Sequence, residues 1–152
     1  MSTMAEAQAK VLKMLTEGVG VQVTVKKEGL LQVGFADTST AVYFEFSEQE
    51  FDGKAPTQAF VHITSPILRE VPESDELYKW VAIIGTGYRI GCVEAFPEEN
   101  QTVFLRYKYV LLADFLDEDE LSTAMWCVLH TANRLDDELK EKFGGKRWID
   151  KE

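Results

Sequence analysis

The chain has 152 residues and a formal net charge of -10, from 16 Lys and Arg against 26 Asp and Glu. Hydrophobic residues make up 45%, enough for one packed domain and too many for wholesale disorder. A surface this acidic repels phosphate backbones and anionic lipid, which argues against nucleic acid and membranes as partners.

The first segment reads as a helix. Met4, Ala7, Val11 and Met14 fall at spacings of three and four, with Leu15 beside them. Thr3 and Glu6 have capping-box spacing at its start, and Gly18 and Gly20 end it. This opening stretch has no basic leader and no continuous apolar core, so no signal peptide is expected. The period then changes to two. Val21, Val23 and Val25 form one alternating run. Leu31, Val33 and Phe35 form the next, and Val42, Phe44 and Phe46 the third. These predict an antiparallel meander with one buried face. Residues 47–58 are polar, with Gly53 and Pro56, and read as a loop. Residues 59–64 predict a fourth strand, followed by a connection bracketed by Pro66 and Pro72.

Ser74 is the expected N-cap of a second helix, with Asp75 and Glu76 in its first turn. Its stripe is Leu77, Trp80, Val81 and Ile84, and Gly85 and Gly87 end it. Residues 88–96 and 102–111 predict a two-strand hairpin turned at Pro97-Glu98-Glu99-Asn100. Asp117 and Glu120 then open the last helix. Its apolar stripe is Leu121, Met125, Val128, Ala132, Leu135, Leu139 and Phe143, and Gly144-Gly145 stops it. Strands and helices do not alternate regularly, so the expected class is α+β: a three- or four-strand meander plus a two-strand hairpin, with three helices. Residues 1–145 read as one domain and residues 146–152 as a C-terminal tail.

Little in the chain points to catalysis. Gly85, Gly87 and Gly91 have the wrong spacing for a dinucleotide loop and follow a helix instead of a strand. His62 and His130 have no Cys or His at ligand spacing, so no metal is expected. His62 is placed on the outer face of its strand and His130 at the polar border of the last helix. The carboxylates Asp114, Asp117, Glu118, Asp119 and Glu120 lack the central Gly of a calcium loop and suit a helix N-terminus. Asp136-Asp137-Glu138 reads as a solvated helix face. Cys92 and Cys127 fall in core-like segments and are expected as buried, reduced thiols of a cytoplasmic protein. No cofactor motif is present, and no apolar run reaches the roughly 18 residues a spanning helix needs.

Binding features are easier to find. Phe104, Arg106 and Lys108 are predicted on the polar face of the last strand, and Trp148 and Ile149 lie beyond the double glycine. The second helix also carries Ala82 and Ile83, so it is apolar on more than one face. A second copy of the chain is the simplest cover, with Ile83 in a homodimer interface. The alternative packs Ile83 under the loop of residues 47–58.

The order of elements resembles the fold of type III secretion chaperones and the related YbjN-like proteins. The run Thr131-Ala132-Asn133-Arg134-Leu135-Asp136-Asp137-Glu138-Leu139, ending in Phe143-Gly144-Gly145, is similar to the C-terminal helix of YbjN-like proteins, a cyanobacterial branch included. Leu111-Leu112-Ala113-Asp114 and Asp117-Glu118-Asp119-Glu120-Leu121 fit the same pattern. The resemblance implies a non-enzymatic, chaperone-like domain that binds a protein or peptide client and forms dimers. The rival expectations are a small enzyme with an unrecognised polar pocket and a structural subunit of a larger complex.

Overall fold

The computed structural model describes residues 3–53 and 57–150. The capping box forms as expected: Thr3 Oγ1 accepts from Glu6 N, and the Glu6 carboxylate accepts from Thr3 N. It opens α1 (Met4–Lys13), which buries Ala7 and Val11. The helix widens into a π-helical turn, Met14–Val19, and stops at Gly20. Four strands follow: β1 (Val23–Lys27), β2 (Leu30–Gly34), β3 (Ala41–Gln49) and β4 (Gln58–Pro72). Then come α2 (Asp75–Ile83), β5 (Cys92–Pro97), β6 (Thr102–Leu112) and α3 (Glu118–Phe143). The strands make one six-stranded sheet in the order β1-β2-β3-β4-β6-β5, and every pairing is antiparallel. The α+β class, the meander and the hairpin all stand as expected. Of the expected loop over residues 47–58, positions 54–56, Pro56 among them, lie outside the described residues.

Several expectations need correction. β4 does not end near Thr64. It runs on to Pro72, through Pro66, because its neighbours change there. β3 pairs with it only as far as Tyr43 opposite Thr64, whereas β6 pairs with it to the end. Beyond Thr64 the β3 side of β4 is an edge, where a residue without an N–H does little harm. Side chains replace the missing ladder bonds: Ser65 Oγ donates to Ala41 O at 2.8 Å and Thr40 Oγ1 to Pro66 O at 2.7 Å. The register against β6 shifts twice in this stretch, and Glu70 takes a φ of 54°.

The second hairpin begins later than expected, at Cys92. Gly91 has a φ of 84°, and a Cβ there would lie 2.6 Å from Lys108 O, so the approach to β6 admits only glycine. In α2 only Leu77 is fully buried, and Ile84 is 50% exposed instead of sealed in the stripe. This helix meets β5 at the margin of the sheet and reaches the main core through Leu77. Val25 is exposed because β1 is an edge strand. Cys92 and Cys127 are free but only half-buried.

The core lies between the sheet and the helices α1 and α3. Leu31, Val33, Val42, Phe44, Val61, Ile63, Leu105 and Tyr107 come from the strands. Leu121, Met125, Val128, Leu129, Ala132, Leu135 and Leu139 come from α3. The 26 residues of α3 span about 39 Å, long enough to lie across most of the sheet.

One α3 residue breaks the expected pattern. Asp136 is fully buried, not solvated. Ser39 Oγ contacts both Asn133 Oδ1, at 2.8 Å, and Asp136 Oδ2, and Ser39 N also donates to Asn133 Oδ1. The Ser39 hydroxyl has one proton for two acceptors. A proton on Asp136 completes the pair of bonds. It also leaves a neutral oxygen, not a charge, at Oδ1, which has no partner. Burial, first, and the Asp137 charge hold the Asp136 carboxyl above the usual range, against the bond from Ser39.

Two outcomes follow from this core. Val128 is fully buried, so Val128→Asp should cost several kcal/mol out of a margin of about 5–15 kcal/mol. Urea titration should find it unfolded or close to it; an unchanged midpoint would remove this face from the core. For Asp136 the folded-state affinity for a proton exceeds the unfolded one, so its contribution favours folding at low pH and fades as pH rises. Asp136→Asn should therefore gain stability relative to the wild type as pH rises from the ordinary Asp value of about 4 toward neutrality. Parallel stability curves across that window would contradict the buried carboxyl.

Candidate functional site

Both α1 and α3 pack on one face of the sheet, against β3, β4 and β6. No helix among the described residues covers the other face at its centre. Side chains alternate along a strand, so register alone says which residues share that face. Tyr43, Thr64, Lys108 and Cys92 form one row across β3, β4, β6 and β5. Glu45, His62 and Val110 form a second, and Pro66, Arg106 and Glu94 a third. Phe104 and Phe96 are opposite each other on β6 and β5, with ring centroids 6.2 Å apart.

Residues 146–150 come back to this face. The double glycine takes φ of 84° at Gly144 and 95° at Gly145, which turns the chain out of α3. Lys146 then pairs with Arg69 by two backbone bonds, each 2.9 Å. This bridge lies where β3 has left β4. Two residues on, Trp148 meets Tyr43 edge to face at a centroid distance of 5.7 Å. Asp150 anchors the end: it accepts from Lys140 Nζ at 2.8 Å and from Arg147 N at 2.8 Å, and Arg69 donates to its carbonyl at 2.7 Å. The Arg147 and Lys140 bonds hold the Asp150 carboxyl far below the usual range.

Two adjoining hollows result. One, of about 290 Å³, is lined by Pro66, Leu68, Arg69, Glu98, Phe104 and Trp148. The other, of about 260 Å³, adds Leu30, Tyr43 and Arg106. They share Pro66, Phe104 and Trp148, so the groove is mainly aromatic and aliphatic with a charged rim. Arg106 Nε lies 2.8 Å from Glu94 Oε1, and its guanidinium sits 4.8 Å from the Phe96 ring centre. Lys108 is 3.5 Å from Glu94. These cations are paired, so they orient polar groups more than they attract charge over distance.

The face offers little for catalysis. His62 Nε2 and Ser47 Oγ are 2.7 Å apart, but no carboxylate among the described residues bonds the ring. Burial, first, and the charge of Lys108 lower the His62 pKa, leaving it neutral near pH 7. The backbone beside the pair belongs to the β3–β4 ladder, which leaves no free N–H pair for an oxyanion. Among the described residues no three His, Cys, Asp or Glu side chains converge as a metal site. No helix among them is long and apolar enough to cross a membrane.

An uncovered, groove-bearing sheet face on a chain with this order of elements is the setting in which the comparison with known families decides. The family model TY-Chap1, described as T3SS (YopN, CesT) and YbjN peptide-binding chaperone 1, matches residues 5–151. The chain belongs to this family. No curated protein matches it. The resemblance read from the last helix was thus to the right family, and the fold of this TY-Chap1 chain is the chaperone-like one that the resemblance implied.

Of the residues expected to bind, the structure brings Phe104, Arg106, Lys108 and Trp148 to one face. Ile83 lies elsewhere. It is 64% exposed, so it is not packed under the loop of residues 47–58. It lines a separate hollow of about 300 Å³ with Trp80, Ile84, Lys142 and Phe143. Tyr43 and Pro66 were missed as groove residues. Tyr43 is visible in sequence as the wrong-side aromatic of a buried strand. Nothing local marks Pro66, because only the departure of β3 makes its surroundings open.

Proposed function

We propose that this TY-Chap1 chain is a non-enzymatic, chaperone-like protein that holds an extended segment of a protein client on the open face of its sheet. The observation that carries this reading is the groove between Tyr43, Pro66, Phe104 and Trp148 on a face that no helix among the described residues covers. Extended peptides gain affinity from main-chain bonds to a sheet edge and specificity from pockets for alternate side chains. The β3 side of β4 beyond Thr64 is such an edge, and the groove lies beside it. Arg106 and Lys108 sit at the polar end. The chain's charge of -10 supports a protein client over nucleic acid or membrane, in a reducing cytoplasm that suits its free thiols.

The working unit in this reading is a homodimer. Ile83 and Ile84 are 64% and 50% exposed on a helix whose other side meets β5. Such a face is suited to isologous contact with its own copy.

Peptides selected from a random 12-residue display library should bind the purified protein in fluorescence anisotropy. Phe104→Asp, folded by circular dichroism, should weaken them by roughly tenfold or more. Equal binding to that variant would move the site off this face. For the dimer, sedimentation equilibrium should find a species of twice 17.2 kDa that tightens with salt, as charge repulsion is screened. Ile83→Glu should return it to the monomer with the melting transition intact. A monomer at tens of micromolar under all salt conditions would dismiss this interface.

A further inference from the structure

We propose that residues 146–150 are a built-in competitor: a strap that caps the open edge of β4 beside the client groove and is exchanged for the client on binding. This deepens the reading above and rests on it. The strap already makes the strand-like pairing that an added segment would need at Arg69. Lys146 pairs with Arg69 through both backbone bonds, as an added antiparallel strand would. Residues 147–150 then fold into a turn, closed by Asp150 N on Arg147 O at 3.1 Å, and Trp148 on that turn packs against Tyr43 and walls the groove beside Pro66 and Phe104. Asp150, two residues further, reaches Lys140.

The strap is also built to leave. Its two large apolar side chains are only half covered: Trp148 is 45% and Ile149 51% exposed. Its side chains are held by partly exposed ion pairs, Lys146 with Glu70 at 2.9 Å, Arg147 with Asp137 at 2.9 Å and Asp150 with Lys140 at 2.8 Å, which are weak and screened by salt, and by the Arg69 bond to the Asp150 carbonyl. The hinge is a double glycine at the end of α3, so release needs no change in any helix or strand. When the strap lifts, it uncovers the backbone of Arg69, an apolar slot, and the cations Arg69 and Lys140 on the body of the domain. The occupant that fits in its place is a segment of another protein that pairs with the Arg69 backbone and carries a large aromatic residue for Tyr43 and an acid for Lys140.

The tethered strap competes at an effective concentration of about millimolar, so a free ligand meets a largely capped edge at Arg69. The test uses the full chain and a labelled synthetic peptide with the sequence of residues 145–152. In Trp148→Ala the peptide should bind at least about tenfold tighter than in the wild type. The amide of Arg69 should exchange with solvent faster, with core amides unchanged. Gly145→Val is the second variant: a Cβ at Gly145 would lie 2.8 Å from Val71 Cγ2 and 3.0 Å from Arg69 O, which prevents docking without touching Trp148. It should tighten the peptide in the same way, and a peptide with Ala in place of Trp should bind neither variant. Display-selected client peptides separate the two readings. If they bind the wild type but Trp148→Ala weakens them, Trp148 is a wall of the site and the strap is overturned while peptide binding stands. If they bind all forms equally, the strap is overturned as well. If no peptide binds any form, the peptide-binding reading itself falls, and the strap with it.

Discussion

β4 is the element on which the rest of the molecule depends, and the constraint lies in its two unequal halves. As far as Thr64 it is an interior strand, paired with β3 on one side and β6 on the other. After Thr64 it keeps only β6. An interior strand has its backbone groups satisfied on both sides; an edge does not, and proteins cover or blunt such edges. Here the covering is piecemeal: two hydroxyls, one proline without a donor, and one bridge from the C-terminal segment. The groove lined by Pro66, Phe104 and Trp148 lies beside that second half.

The helices set the other condition. α1 and α3 lie on the same face, so the inner side chains of all the central strands are sealed while the outer ones are not. α2 lies to the side against β5 and leaves two isoleucines in solvent. A sheet with one face packed and one face open normally carries polar residues outside. This one carries Tyr43, Phe104, Phe96 and Pro66 there, with their cations neutralised by Glu94 and Glu45. Of these Phe96 is exposed, Tyr43 and Phe104 are partly covered and Pro66 is buried, so the apolar surface is recessed in a groove and not spread over the face.

The buried Asp136 and the docked residues 146–150 are two ends of one stretch of chain. Asp136 ties the middle of α3 to the β2–β3 connection through Ser39 and Asn133, and thereby sets the register of the helix on the sheet. Four residues later Lys140 faces Asp150. The helix therefore aims the double glycine, and with it Trp148, at the edge of β4. Its position is a property of packing inside the core, and the groove inherits it.

Much of this was legible in the residues. Periodicity in α3, the caps at Thr3, Ser74 and Asp117, and the alternation of β2 and β3 depend on neighbours within a few positions, which a sequence displays directly. The outer placement of Phe104, Arg106 and Lys108 follows from the same alternation. The family could be read from the order of elements together with the last helix. Tertiary structure alone decided the rest. Pro66 looks like the end of a strand until the loss of β3 as a neighbour makes it harmless. Asp136 looks solvated between Asp137 and Glu138 until Ser39, 97 positions away, supplies its partner. Trp148 sits in a short polar segment with no periodicity, and only the turn at Gly145 and the open edge of β4 bring it to Tyr43. Local pattern specifies which elements form and which way they face; contacts between distant positions decide which edges stay open, and in this protein the groove lies along an open edge.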